Sequence, residues 1–182
     1  MYATNVARMT DSTHLTAETI QYRIQECTLG PVAIAASMRG ICAILFGEDK
    51  AALENDLAAR FPTASLIEGD GEFDRLADTV ARYIDKLTDT VEFPLDPSGT
   101  DFQQRVWRAL REIAPGTTAS YKEVAIRIGS PKAVRAIARA CAANPIAIAI
   151  PCHRVVRSDG SMSGYRWGKA RKRMLLDREA QS

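Results

Sequence analysis

Histidine and paired cysteine are scarce in this sequence. Its 182 residues include two histidines, His14 and His153, and four cysteines, Cys27, Cys42, Cys141 and Cys152. No two cysteines form a C-x-x-C pair, so the clustered soft ligands of a structural zinc site are missing and no metal is expected. The longest apolar run, residues 145–152, is far too short to span a bilayer, which excludes a membrane-spanning helix. Residues 1–17 carry Asn5, Arg8, Asp11 and His14 and show no apolar stretch resembling a secretory signal. With nothing pointing to export, a reducing cytosol is the expected compartment, where disulfides are uncommon. There is no internal repeat and no low-complexity tract. A composition that is 46% hydrophobic and 25% charged is ordinary for a globular chain and excludes a disordered or fibrous one.

What the chain does have is charge of opposite sign in its two halves, hidden by a net charge of +2. Residues 1–100 hold 8 basic and 16 acidic side chains, a net of −8, whereas residues 101–182 hold 16 basic and 6 acidic, a net of +10. Such asymmetry points to nucleic acid or another acidic surface as a partner of the second half. A turn-rich break at Pro94, Pro97, Ser98 and Gly99 divides the chain into expected domains at 1–95 and 96–182, with residues 1–19 expected to be poorly ordered.

In the acidic half, Gln21–Cys27 and Pro31–Ser37 read as strands about a turn at Leu29-Gly30, followed by a short apolar strand at Ile41–Phe46. Lys50–Phe61 has helical spacing through Leu53, Leu57, Ala58 and Phe61. Phe73–Leu87 has it through Leu76, Val80, Tyr83, Ile84 and Leu87. Thr90–Pro94 reads as one more strand. These elements make a small α+β layer without a chemical motif, a scaffold. Cys27, Cys42 and Cys141 sit among apolar neighbours and read as core.

The basic half is more sharply punctuated. Thr100 to Gln103 resembles a capping box opening a helix through Phe102, Val106, Leu110 and Ile113. Ser120 to Glu123 is a second capping box, on a short helix that stops at Gly129. Ser130-Pro131 then starts a third helix, Lys132–Ala143, ended by Asn144-Pro145. A short helix, a glycine turn and a second helix make a helix-turn-helix, and Lys132, Arg135 and Arg139 share one face of its second helix. That face suits the phosphates of DNA, although a basic stripe is also a common solvated surface.

Residues 146–150, all small aliphatics, read as buried extended backbone leading into Pro151-Cys152-His153-Arg154. A thiol with a pKa near 8.5 is mostly protonated at neutral pH, and a neighbouring imidazole or guanidinium stabilises the thiolate. His153 and Arg154 adjoin Cys152, so the trio is a candidate nucleophilic centre. A buried cysteine beside a surface His-Arg pair is the competing reading.

The run Pro151-Cys152-His153-Arg154-Val155-Val156 resembles the active-site signature of the O6-alkylguanine-DNA alkyltransferases, the methylated-DNA–protein-cysteine methyltransferases. Phe102-Gln103 with Val106-Trp107, Ser120-Tyr121, Pro131 to Ala136 and Asn144-Pro145 stand at that family's spacing. So do Ser163 to Gly168 and Leu175-Leu176 with Glu179. The Arg166-Trp167 pair and the stretch from Ala140 to Asn144 are most similar to the C-terminal half of bacterial members that combine repair with transcriptional activation. The resemblance runs from about residue 20 to the end.

The resemblance implies an α+β chain: a ribonuclease-H-like α/β domain followed by a helical, winged-helix-like DNA-binding domain. It implies one-turnover transfer of an alkyl group to Cys152 from O6 of guanine, and from O4 of thymine, in double-stranded DNA, with no cofactor. His153 would take the thiol proton through a water, Glu179 would orient the imidazole, and Asn144 would brace the turn before Cys152. Tyr121 would donate a hydrogen bond to the flipped guanine, and Arg135 would fill the gap it leaves. Ala136 allows close approach to the minor groove. Lys132, Arg139 and Ser120 would contact DNA, and Val155, Tyr165, Arg166 and Trp167 would line the base pocket. A monomer is expected.

Trp167 occupies a place where many relatives carry glycine, so it is expected to narrow the pocket. Some bacterial members add an N-terminal zinc domain that repairs phosphotriesters and activates transcription. This sequence begins too late to hold it and has no four clustered cysteines, so neither activity is expected. The run 169–173 reads as a phosphate contact or a solvated helix face. Two rivals stay open on the residues: a non-catalytic DNA-binding sensor, and a thiol hydrolase built on Cys152, His153 and Glu179.

Overall fold

The computed structural model describes residues 18–87, 91 and 93–181. Three strands in succession open it: β1 (Thr19–Cys27), β2 (Gly30–Ser37) and β3 (Gly40–Phe46). β1 pairs antiparallel with β2, and β2 with β3. The tight turns between them need glycine at Gly30 (φ +95°) and Gly40 (φ +146°); a side chain at Gly40 would also strike the Pro94 carbonyl. After helix α1 (Lys50–Arg60), strand β4 (Ser65–Glu68) joins the far side of β1 in parallel, giving the order β3-β2-β1-β4. Helix α2 (Gly71–Lys86) then packs on β1 while α1 packs on β2.

Asp49 caps α1 by accepting from the Ala52 N–H, and Leu53 and Leu57 are its buried residues. Ala58, expected on that face, is exposed, because the buried stripe is only two residues wide. Strand β3 is buried along its whole length, so its sequence lacks polar alternation. Of the strand expected over Thr90–Pro94, Thr90 and Glu92 lie outside the described residues. Val91, Phe93 and Pro94 form no strand; instead Ile41 donates to the Pro94 carbonyl at 2.8 Å, and Asp96 donates to that of Ile41 at 2.8 Å. β4 has no counterpart in the sequence reading. Its four residues are mostly exposed, so no apolar period marks it.

The second half is helical. α3 (Asp101–Arg111) and α4 (Tyr121–Arg127) each begin with a complete capping box, from Thr100 with Gln103 and from Ser120 with Glu123. α5 (Val134–Ala142) begins two residues later than expected, because Ser130 to Lys132 form a turn and no side chain caps the helix. Two short strands, β5 (Ala119–Ser120) and β6 (Val155–Val156), pair in parallel, and α6 (Lys169–Glu179) closes the chain. α3 packs on both α4 and α5, and the buried Trp107 indole donates to the Ala140 carbonyl at 2.9 Å. The architecture is mixed α+β, a sheet-bearing half followed by a helical half.

The two halves meet along β3. Ile44 donates to the Pro145 carbonyl and accepts from Ala147, both at 3.0 Å. Arg171 of α6 reaches across to the carbonyls of Leu29 (2.8 Å) and Gly47 (2.9 Å) and lies over the Phe46 ring. Among the described residues no helix is long and apolar enough to cross a membrane.

Trp107→Phe removes a buried donor and leaves a void between α3 and α5. It should lower unfolding stability by about 2 kcal/mol. Urea denaturation measures this, and an unchanged midpoint would show that the α3–α5 contact does not depend on the indole.

Candidate active site

Asn144, fully buried, organises the chain between α5 and Cys152. Its amide nitrogen donates to the Ile150 carbonyl at 2.8 Å and to Cys152 Sγ at 3.2 Å, while its oxygen accepts from the Ile146 N–H at 2.9 Å. Residues 146–150 are not the extended backbone expected from their aliphatic composition. They fold into tight turns closed by Ala149 N–H to Ala147 O (2.7 Å) and Ile150 N–H to Ile146 O (3.1 Å). Their side chains are buried as expected. Ile148 adopts φ +67°, a left-handed conformation that costs a β-branched residue about 1–3 kcal/mol and persists only where its surroundings hold it. Cys152 to Arg154 then form one 3-10 turn, all three residues buried.

His153 and Glu179 are brought together from the turn and the end of α6. His153 Nε2 lies 2.8 Å from Glu179 Oε1, with both side chains buried. Arg154 grips the same carboxylate through Nε (3.1 and 3.0 Å) and Nη2 (2.8 Å), and its Nη1 donates to the Ile113 carbonyl at 2.5 Å. The Gly116 N–H adds a long bond of 3.4 Å to Glu179 Oε2, and a Cβ at Gly116 would stand 3.0 Å from the Glu179 carbonyl. Although burial alone would raise it, donation from His153 and Arg154 holds the Glu179 pKa down at about 2. An ionised carboxylate only accepts, so the His153 proton sits on Nε2 and Nδ1 carries the free lone pair. Nδ1 is buried and has no partner among the described residues. Burial pushes the His153 pKa below its usual 6.5, which keeps the imidazole neutral and basic at Nδ1.

Cys152 is 4% exposed. Burial pushes its thiol up to about 11, against the hydrogen bond from Asn144 and the charge of Lys172, which favour the thiolate. The neighbouring His153 and Arg154 suggest a lowered value from the sequence, but desolvation wins, and the resting thiol is protonated. The thiol opens on a cavity of about 530 Å³ whose walls include Tyr121, Ala138, Cys141, Ser163, Tyr165 and Arg166. Tyr121 Oη lies 2.7 Å from Ser163 Oγ.

The other expected site residues fall into two groups. Arg135 and Arg139 are exposed on α5 and Ala136 is half-buried, whereas Lys132 is exposed in the turn before the helix. Ser120 is occupied as the cap of α4. Tyr165 and Arg166 border the cavity, but Val155 and Trp167 are not among its lining residues. The expectation that Trp167 narrows the pocket is corrected: the indole is buried between Tyr165 (5.2 Å between ring centroids) and Phe46 of β3 (6.2 Å), one layer behind the wall. Cys42 and Cys141 are buried as expected, but Cys27 is only half-buried at the end of β1.

Three residues escaped the sequence reading. Arg154, by its place in the sequence an adjunct to the thiol, instead saturates Glu179. Lys172, inside the run read as a phosphate contact or solvated face, is fully buried, with Nζ donating to the Val155 carbonyl (2.5 Å) and to Ser163 Oγ (2.9 Å). Ser163 stands out in the sequence only as part of a motif. A lysine one place from Arg171 and Arg173 carries no mark of burial, although its spacing from Leu175 and Leu176 puts it within helical reach of the apolar face.

Known proteins resemble this chain over both of its halves. The family described as 6-O-methylguanine DNA methyltransferase matches twice, its ribonuclease-like domain over residues 20–97 and its DNA binding domain over residues 101–181. The chain is 50% identical over 163 residues to the bifunctional transcriptional activator/DNA repair enzyme Ada of Escherichia coli, covering 90% of this chain and 46% of that protein. It spans the same 46% of the regulatory protein ada of Salmonella typhimurium, under half the length of either. It is 40% identical to a methylated-DNA--protein-cysteine methyltransferase of Methanosarcina barkeri, covering 87% of this chain and 96% of that one. The crystal structure of Mycobacterium tuberculosis OGT in complex with DNA superposes with a TM-score of 0.72 at 35% identity, covering 88% of this chain and 93% of that one.

The buried cluster makes stability depend on acid pH with a definite sign. Glu179 is ionised in the fold down to about pH 2, whereas an unfolded glutamate protonates near 4.5, so its contribution is present above 4.5 and is lost as pH falls toward 2. His153, buried neutral, adds to the loss below 6.5, where the unfolded chain takes up a proton first. The urea midpoint should therefore fall steadily from pH 7 to pH 3. Glu179→Gln should cost about 3–5 kcal/mol at neutral pH and flatten the part of the curve below 4.5. A variant as acid-sensitive as the parent in that range would place the titration elsewhere.

Proposed function

The chain belongs to the 6-O-methylguanine DNA methyltransferase family, and on that premise we propose that it repairs DNA by direct reversal. It moves one alkyl group from O6 of guanine, or O4 of thymine, in double-stranded DNA to Cys152. The observation that carries this reading is the Cys152 thiol at the wall of a cavity of about 530 Å³, beside a histidine whose free nitrogen has no other partner among the described residues.

An alkyl carbon on O6 lies within the stacked duplex, beyond reach of a buried thiol. The nucleotide must rotate out, at a cost of roughly a few kcal/mol that is smaller for a damaged pair. Arg135, exposed on α5, enters the duplex and hydrogen-bonds the orphaned partner base. Ala136 lets the helix approach the groove closely, with Lys132 and Arg139 on phosphates. The flipped base enters between Tyr121, Tyr165 and Arg166.

Because the resting thiol is protonated, the thiolate forms when the proton passes through a water to His153 Nδ1, leaving an imidazolium balanced by Glu179. Asn144 and Lys172 stabilise the anion that results. Sulfur attacks the alkyl carbon in line, the S–C bond forms as the C–O bond breaks, and the electron pair leaves with guanine O6. Tyr121 donates a hydrogen bond to the base and spreads that charge. The product is a thioether that nothing in the site hydrolyses, so each molecule acts once and needs no cofactor. The setting is the cytoplasm, with the protein on the nucleoid when bound, as a monomer.

Incubation with duplex DNA containing O6-methylguanine should add one methyl to the peptide bearing Cys152, saturating at one per protein, and Cys152→Ser should take up none. Peptide mass spectrometry checks it. Repeated turnover would support a hydrolase instead, and DNA binding without a mass change a sensor. Arg135→Ala should slow repair of duplex DNA at least tenfold more than reaction with the free base O6-methylguanine. Equal losses on the two substrates would remove Arg135 from the flipping step.

A further inference from the structure

We propose that Ser163 is the positioning residue that keeps the Tyr121 hydroxyl ready for alkyl transfer, and that the buried Lys172 ammonium holds Ser163 in that role. The inference rests on the alkyl-transfer reading and adds a residue to it. Three polar groups from separate elements converge here. Tyr121 opens α4, Ser163 lies in the loop after β6, and Lys172 belongs to α6. Ser163 Oγ stands 2.7 Å from Tyr121 Oη and 2.9 Å from Lys172 Nζ, and Lys172 is also tied to the Val155 carbonyl. Ser163 is 6% exposed and Lys172 is fully buried, so the bond between them is shielded from water.

The chemistry of the groups dictates their roles. An ammonium only donates, so Ser163 Oγ must accept from Lys172, which leaves one lone pair and one proton on the serine. In the empty site the Tyr121 hydroxyl donates into that lone pair, and the serine proton points to the Val155 carbonyl at 3.3 Å or that of Gly164 at 3.4 Å. When a base occupies the cavity, the Tyr121 proton turns to it. The serine hydroxyl then rotates and donates to the phenol oxygen across the same 2.7 Å. No heavy atom has to move. A phenol that accepts while it donates is a stronger donor, and Lys172 strengthens the chain from its far end. Burial raises the Tyr121 and lowers the Lys172 pKa, yet at neutral pH the first still has its proton to give. No covalent bond changes at Ser163 or Lys172.

The test compares single-turnover methyl transfer from O6-methylguanine duplex DNA by the full chain, Ser163→Ala, Tyr121→Phe and the double variant. Alkylation of Cys152 by iodoacetamide is followed in parallel, since it has no guanine to stabilise. Ser163→Ala should slow methyl transfer about tenfold while leaving iodoacetamide alkylation and DNA affinity unchanged, and Ser163→Thr, which keeps the hydroxyl, should retain the parent rate within about twofold. The double variant should be no slower than Tyr121→Phe, because the serine acts through the tyrosine. Three results would overturn the proposal: parental transfer by Ser163→Ala, full additivity in the double variant, or a parallel drop in iodoacetamide alkylation, which would mark a merely structural role. If the parent chain itself transfers no methyl, the functional reading fails and takes this one with it. Transfer by the parent with an indifferent Ser163 sinks this inference alone.

Discussion

A carboxylate taken out of water costs several kcal/mol unless donors replace its hydration shell, and Glu179 is surrounded by such donors. His153, Arg154 and the Gly116 N–H converge on its two oxygens from the active-site turn and from the loop after α3, while the carboxylate itself comes from the last turn of α6. Each partner depends on the others, since removing one leaves a buried charge uncompensated. The same cluster decides the chemistry. By accepting at Nε2 it assigns the imidazole tautomer, and by drawing Arg154 into the pair it keeps that guanidinium from the thiol. Lys172, held by a carbonyl and a hydroxyl, is then the cation whose field reaches Cys152. Structural economy and catalytic assignment are two aspects of one ion cluster.

The acidic half takes part in this more than its charge suggests. One of its two edge strands, β3, would expose a row of unpaired backbone groups, and such edges are normally covered. Here they are covered by Leu95 on one stretch and by the turn ahead of Cys152 on another. The turn that aims the thiol is thus templated by a sheet edge from the other half. Arg171, bonded to the carbonyls of Leu29 and Gly47, and Trp167, packed on Phe46, tie the start of α6 to the same sheet, so Glu179 and Lys172 are placed relative to it.

Much of the fold was readable because it rests on local rules. The capping boxes at Thr100 and Ser120, the glycine turn at Gly30, and the stripes of α2 and α3 each declare themselves within a few residues. Cys152, His153, Asn144, Tyr121 and Glu179 were legible as a set through the family resemblance, since no spacing along the chain says that residues 153 and 179 touch. Three features escaped because their causes are not local. Residues 146–150 look like a strand, yet only Ile146 bridges to β3 and the rest turn, with Asn144 holding the Ile146 N–H and the Ile150 carbonyl. Lys172 looks solvated and is buried, because two acceptors wait for it inside. Trp167 looks like pocket wall and is its backing, because Phe46 lies behind it in a domain far away in sequence.

Asn144 is bonded to positions two, six and eight residues ahead, and Ile148 within that loop holds a left-handed conformation. The seven residues from Pro145 to Pro151 therefore act as a spacer of fixed length: one aliphatic can replace another, but gaining or losing a single residue would carry the sulfur away from its anchor. A change of length in this stretch therefore costs far more than the exchange of one aliphatic for another of similar volume.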